Sequence, residues 1–413
     1  MNYRIVAAVI FSVSLSPEIH AQNSSPYSYF GLGAFNTVDN ARNVALGNTG
    51  IALESENYLN SKNAAAIAGI NEKSVIFDVG GVFKYNSISS NGNIDKRFNA
   101  NFSNLGIGFG VTRNFAFSIN LQPSTSSDYK IESDIPIEGT SSTYPITYEG
   151  TGGIANAGIN AGYKITKNWL VGAKVKNYFG TVKRNETVTP SSDIYQLEIS
   201  KNIRYTGFGY SFGTQYSHYF EDQRLQLTLG AMVNLKTKMT AKGETVYTAD
   251  LNYNSSTTTT LKSRNTSLPL EKGLGFSMLY KDRYRLTFDY TQSDWNKVTG
   301  AFTNGKYIKQ NVYGLGFELL PEYRNNDVFG NNLIYRFGVN YDSGYYQINN
   351  KDINKLETTV GVGFNIKRSL QLNLTYGYGI RGLQQGTAVR ENYHMLGISV
   401  NFLENWFIRS QIN

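Results

Sequence analysis

The 413-residue chain has no cysteine, 8 prolines, 3 histidines and only 17% charged residues. Without cysteine there is no disulfide framework, no thiolate metal site, no cysteine nucleophile and no lipid anchor on an N-terminal cysteine. Charge falls well below the roughly 25% of average domains, yet no apolar run after the first residues approaches the ~20 that a spanning helix needs. A bundle of membrane helices is excluded. Beyond His20, near the start, the only histidines are His218 and His394. Each shares its strand phase with apolar side chains, His218 with Phe208, Tyr210 and Phe212, and His394 with Leu396, Ile398 and Val400. They read as interfacial aromatics near opposite strand ends, so they supply neither a convergent metal site nor the Ser, His and Asp constellation of a membrane hydrolase. The sequence implies no enzyme, no metal and no cofactor. The net charge of +8 is spread without a basic cluster or stacking motif, which argues against a nucleic-acid partner.

What is abundant is glycine, 40 residues, with 30 tyrosines and 23 phenylalanines. Residues 1–21 read as a secretory signal: Arg4, an apolar run from Ile5 to Leu15, and small Ala21 before the cut. An exported, cysteine-free chain rich in Gly, Tyr and Asn points to the outer membrane of a Gram-negative bacterium, with outer-membrane lipid as its first partner.

From about Ser74 onward the pattern has period two. Leu225, Leu227, Leu229, Ala231 and Val233 alternate with Gln226, Thr228, Gly230, Met232 and Asn234, and Leu370, Leu372, Leu374, Tyr376 and Tyr378 with Gln371, Asn373, Thr375 and Gly377. Hydrocarbon offers the backbone no hydrogen-bond partner, so a spanning sheet must close on itself, with apolar side chains outside and polar ones permitted inside. Each run has the ~9–11 residues that a tilted spanning strand requires. A soluble β-sandwich also alternates, but its strands are usually about 5–6 residues long.

Short turns at Arg113-Asn114, Lys167-Asn168, Glu221-Asp222-Gln223, Lys281-Asp282 and Lys367-Arg368, with a longer one at Pro321–Asn332, read as periplasmic. Between them, polar stretches at 86–97, 122–148, 180–203, 238–265, 292–306, 343–354 and 381–391 read as extracellular loops. The expected fold is all-β: a transmembrane antiparallel barrel of about 14 strands over residues 74–402, closed by an even count, with 403–413 a periplasmic tail or short final strand. Residues 22–73 do not alternate and are apolar enough to pack, either as a plug in the lumen or as a periplasmic extension.

The inward phase is mostly Gly, Ser, Thr and Asn. Glycines such as Gly106, Gly108, Gly314, Gly316, Gly361 and Gly363 leave room for a plug to approach the wall. Asp78, Lys84, Lys174, Lys176, Arg285, Asp289, Glu318, Arg336 and Asp342 fall on the same phase. Mixed signs point to salt bridges between wall and plug, or to a wet lumen, more than to a ring selecting one sign. An apolar ligand would want an inward cluster of Phe, Leu and Met, and in the clearest strands those residues lie on the lipid phase. Tyr163, Trp169, Tyr280, Tyr284, Phe402 and Trp406, beside the short turns, read as an interfacial girdle.

The segment before the first strand carries Ser25-Pro26-Tyr27-Ser28-Tyr29-Phe30-Gly31-Leu32-Gly33, then Ala41 to Ala52 with Gly47 and Gly50, then Asn63-Ala64-Ala65. In these motifs the chain resembles the long-chain fatty acid transporter (FadL) family of outer-membrane proteins, in its Bacteroidetes branch. Members typically show Asn-Pro-Ala before the first strand; here Ala64 stands in place of proline. The resemblance implies a hatch, with Gly47, Gly50, Asn63, Ala64 and Ala65 among its residues. It also implies passive uptake of small hydrophobic compounds that bind inside the barrel and move past the hatch to an opening in the wall. A residue without a backbone donor breaks a strand ladder, and Pro123 is the candidate for that opening; as a plain loop-start proline it would lie above the membrane. A second reading makes the barrel a structural or docking subunit, with protein partners, of a larger outer-membrane assembly for secretion or protein insertion. A polar solute channel is the third.

Overall fold

The computed structural model describes residues 25–36, 40–90, 92–136, 138–189, 196–250, 255–298, 305–321, 333–367, 369–382 and 389–406. The signal segment, with its cleavage near Ala21, lies outside them, as do 407–413 of the tail. The protein is a closed 14-strand antiparallel barrel. Its wall runs through β2 (Ser74–Ser90), β3 (Asn93–Gly110), β4 (Phe115–Ser126) continued by β5 (Tyr129–Pro136), β6 (Thr143–Lys164), β7 (Trp169–Val188) and β8 (Gln196–Phe220). It continues through β9 (Leu225–Asn234) with β10 (Thr237–Asp250), β11 (Ser255–Leu268) with β12 (Glu271–Tyr280), β13 (Tyr284–Ser293), β15 (Gln310–Leu319), β16 (Leu333–Asp342), β19 (Lys355–Lys367), β20 (Leu370–Arg381) and β21 (Val389–Asn405). β21 closes the ring on β2, from Ser74 opposite Asn405 to Ser90 opposite Val389. A small sheet of β14 (Gly305–Tyr307), β17 (Tyr346–Ile348) and β18 (Lys351–Asp352) caps the extracellular end.

Alternation places the side chains. On β16, Tyr335, Phe337, Val339 and Tyr341 face outward while Arg336, Gly338, Asn340 and Asp342 are buried inside. Phe337 is 54% exposed and Arg336 1%, an inversion of soluble proteins that only a hydrocarbon solvent outside makes favourable. Tyr163, Trp169, Tyr280, Tyr284 and Trp406 are exposed at the short-turn end.

The extracellular connections are a correction. The stretches 122–148, 180–203 and 238–265 are largely strand: β6, β7 and β8 have 22, 20 and 25 residues. A tilted strand crosses the membrane in ~9–11 residues, so this part of the wall stands well above it. With water on both sides there is no need for apolar alternation, and threonine-rich strands such as β11 suffice because β-branched residues suit a pleated sheet.

The N-terminal segment lies inside the ring. After β1 (Ala34–Phe35) come α1 (Ala41–Ala45) and a 3₁₀ helix at Ala64–Gly69, nearly all buried. The wall accommodates it through glycine. A Cβ on Gly316 would come 2.5 Å from Leu46 O, and one on Gly338 2.0 Å from Gly47 N. Gly47 itself has φ +65 and packs against the backbones of Leu315 and Val339, so this contact needs glycine on both sides.

Candidate functional site

Irregular backbone inside a barrel must find hydrogen bonds in the wall, and here inward side chains from many strands supply them. Asn340 Nδ2 donates to Gly47 O at 3.2 Å, Thr359 Oγ1 to Ala45 O at 3.2 Å, and Thr375 Oγ1 to Ala41 O at 2.6 Å. Asp289 Oδ2 accepts from the backbone N–H of Gly50 at 2.8 Å and of Ile51 at 3.0 Å, with Lys62 Nζ at 3.4 Å. Asn63 caps the 3₁₀ helix by accepting from Ala65 N at 3.0 Å. Its Nδ2 donates to Ile51 O at 2.8 Å and to Thr214 O of the wall at 3.1 Å. Ala64 occupies the first helical position, where a proline also fits, so the turn forms without the ring.

The charged centre joins the N-terminal segment to the wall. Glu318, fully buried on β15, accepts from Arg42 Nε at 3.0 Å and Nη2 at 2.9 Å, and from Arg336 Nε at 2.8 Å; Arg285 Nε lies 3.6 Å away. Arg336 Nη1 donates to Asn373 Oδ1 at 2.8 Å, and the Arg42 guanidinium stacks 4.1 Å from the Tyr58 ring. Alternation had marked Arg285, Glu318 and Arg336 as inward. Arg42 was in the N-terminal motif but was not assigned to them: strand phase gives the face of a side chain, not the partner it meets 276 positions away.

The other inward residues are spread. Asp78 accepts from Leu59 N at 3.2 Å and from Asn104 Nδ2 at 2.5 Å. Lys174 is buried, and Lys176 Nζ donates to Asn234 Oδ1 at 3.1 Å. Lys84 lies 5.5 Å from the Tyr393 ring, in a cavity of about 70 Å³ shared with Lys355, Arg381 and Glu391. His218 and His394 are exposed on the outer surface.

Among the described residues the wall is split between β3 and β4. β3 pairs with β4 only from Gly110 opposite Ala116 to Leu105 opposite Leu121. Above that, β4 remains paired to β6, with a bulge between Pro123 and Thr125, while the Asn93–Asn104 stretch of β3 has no strand partner on the β4 side among the described residues. β1 of the N-terminal segment takes the vacated edge instead, Ala34 opposite Ser126 and Phe35 opposite Thr125, and Asn36 N donates to Ser124 O at 2.9 Å. Arg97 Nη2 bridges the top of the split to Lys130 O at 3.2 Å. Inside, Phe35, Asn36 and Pro123 line both the small cavity and a larger one of about 300 Å³.

The whole chain, residues 1–413, matches the family model BamG. The chain belongs to the BamG family. No curated protein matches. Among solved structures it is similar to the monoaromatic hydrocarbon channel CymD, at 15% identity and a TM-score of 0.60, over 89% of this chain and 98% of that one. It is similar to the toluene transporter TbuX of Ralstonia pickettii, at 15% identity and 0.59, over 89% and 99%. A FadL homologue of Pseudomonas aeruginosa matches at 13% identity and 0.63, over 90% and 99%. At such identities the likeness is one of fold: this BamG-family chain has the barrel of those channels, which agrees at fold level with the resemblance read from its N-terminal motifs.

Proposed function

We propose that this chain is an outer-membrane barrel, of the Bacteroidetes branch of FadL-like proteins, that catalyses no reaction and passively admits small hydrophobic compounds through its side wall. The N-terminal segment is the hatch. The observation that carries the reading is the split between β3 and β4: the ladder ends at Leu105 and Leu121, and the only strand filling β4's free edge among the described residues is the two-residue β1. A compound entering from above meets the packed hatch, with Glu318 and Asp289 binding it to the wall, and leaves sideways past Phe35 and Pro123. Solvents of this kind are what the similar structures' names record: a monoaromatic hydrocarbon channel and a toluene transporter. The test is uptake of labelled toluene by cells whose intact outer membrane carries or lacks the chain, with conductance measured in planar bilayers. Faster uptake together with negligible ion current supports the reading; high ion current from the full-length protein contradicts the hatch.

The docking reading has one observation in its favour. The tall wall of β6, β7, β8, β10 and β11 stands above the membrane with Leu197 and Tyr247 exposed, at 41% and 44%, a surface that passage does not need. Extraction from the native membrane in mild detergent separates the two: a lone barrel supports transport, and stoichiometric protein partners support an assembly subunit.

A further inference from the structure

The outer surface of β7, β8 and β10 changes character in a fixed order above the lipid-facing belt. Exposed aromatic side chains on the outward phase, Trp169 and Phe179 on β7 and Tyr216 and Phe208 on β8, bracket the ~9–11 residues of a tilted crossing. Phe179 and Phe208 therefore mark the extracellular edge of the hydrocarbon. On the same phase Phe179 is followed by Thr181 and Lys183, Phe208 by Thr206 and Arg204, and on β10 Lys238 by Thr240 and Lys242. Their neighbours Val182, Tyr205, Met239 and Ala241 pack into one inward cluster, which places the four cations outside, all of them exposed. We infer that this surface binds the phosphate of a phosphorylated lipid of the outer leaflet, whose acyl chains lie against the belt below.

Three observations lead there. The first is a like-charge pair held by the ladder. Lys242 lies directly opposite Arg204, where side chains start about 4.5–5.5 Å apart and like charges destabilise the sheet. Among the described residues neither has an ion-pair partner, nor do Lys183 and Lys238. An anion between Arg204 and Lys242 turns that repulsion into two attractions, and a guanidinium suits phosphate oxygens. Hydroxyl donors stand on the adjoining rows: Thr181 opposite Arg204, and Thr240 opposite Thr206.

The second is the order of charges along the strands. The nearby outward carboxylates lie farther from the membrane than the cations: Glu244 two residues beyond Lys242, and Glu149, which already pairs with Lys130 at 3.7 Å. An anion held at headgroup height meets the cations first, whereas one arriving from water meets the carboxylates, so the surface suits a lipid better than a free anion. Lys238, level with Phe208, has an apolar stem that can lie on the belt while its ammonium reaches the headgroups. The third is contrast around the ring. The outward phase at the same end of β20 reads Tyr376, Tyr378 and Ile380, without a charge. The cations are far apart in sequence, and the pairing of three strands is what gathers them.

The test uses lipid A, which carries phosphate, and the full-length protein in mild detergent, its folding checked by heat-modifiable migration. Native mass spectrometry across a lipid titration is expected to show saturable binding of lipid A at concentrations where dephosphorylated lipid A does not bind. Arg204→Gln and Lys242→Gln each weaken binding, and together they weaken it about tenfold or more. Arg390→Gln, which removes an exposed cation from β21, leaves it unchanged. A loss in Arg390→Gln equal to that in Arg204→Gln overturns the inference, because attraction to net charge would then suffice. Equal binding of the dephosphorylated lipid, or displacement of lipid A by excess inorganic phosphate, overturns it too. An acidic protein that co-purifies with the wild type but not with the double variant, while lipid A binding is unaltered, would assign the surface to a protein partner instead. Lipid A binding without toluene uptake would sink the transport reading alone.

Discussion

The two halves of the lumen are built on opposite principles. The lower half is solid: wall glycines let backbone touch backbone, Gly338 against Gly47 and Gly172 against Ala64, and one carboxylate, Glu318, gathers three guanidiniums. The upper half is hollow, with two cavities, an aromatic roof of Phe35, Trp295 and Tyr345 and a split in the wall. The same inward-facing residue classes serve both. Small residues make a seal where the N-terminal segment fills the space, and a vestibule where it does not.

The contrast can be broken most severely from below. Glu318→Gln would leave Arg42, Arg285 and Arg336 without a carboxylate in a desolvated site, and losing one partner of a buried ion pair costs about 3–5 kcal/mol. The expected result is loss of protease protection of the N-terminal segment at lowered urea concentration, together with new ion current. Next comes the glycine contact. Gly338→Val drives a side chain into the Gly47 backbone, an overpacking effect of about 1–3 kcal/mol or more. Gly397→Ala, whose Cβ would meet its nearest neighbour at 3.6 Å, should change stability by less than about 0.5 kcal/mol. Urea titrations of both variants, followed by protease protection, check the pair.

A smaller effect comes from pH. Burial, then the neighbouring Glu56, raise the Glu54 carboxyl above its ordinary value, against a hydrogen bond from Ser217. The docked segment therefore holds this proton more tightly than the released segment does, so Glu54's own contribution to docking is fullest below the ordinary carboxylate value and is lost as pH rises through the raised one. Protease protection should be greater in mildly acidic buffer, where Glu318 is still ionised, than at neutral pH, and Glu54→Gln should flatten the dependence. Stronger protection at neutral pH would contradict the assignment.

The sequence showed the wall more readily than its height. Period-two alternation located the strands because hydrocarbon demands apolar side chains on one phase. Where water wets both faces that demand ends, so Thr257 to Thr260, opposite Tyr247 to Glu244 in the β10–β11 ladder, read as loop. The short turn at Lys281-Asp282 was legible, and its two residues take φ of +53 and +55, as a tight hairpin turn requires. Inward phase also marked Glu318, Arg336 and Asp289, but their partners Arg42, Gly50 and Ile51 lie on irregular backbone with no period to read. The sequence offered Pro123 as a ladder breaker; in the structure Pro123 stays in the ladder with β6, opposite Ala155. That β3 parts from β4 beyond Leu121 while β6 stays paired was not legible, because neither strand's own pattern specifies its neighbour.

Sideways exit can be tested directly because the chain has no cysteine of its own. Cysteines placed at Asn101 on β3 and Ser124 on β4 can be joined across the split by a bifunctional thiol reagent with a reducible spacer, and toluene uptake followed before and after reduction. Uptake should fall to the level of cells lacking the chain when the split is bridged and return on reduction. Uptake unchanged by complete bridging would contradict it, and would place the route through the hatch or deny this protein a transport role.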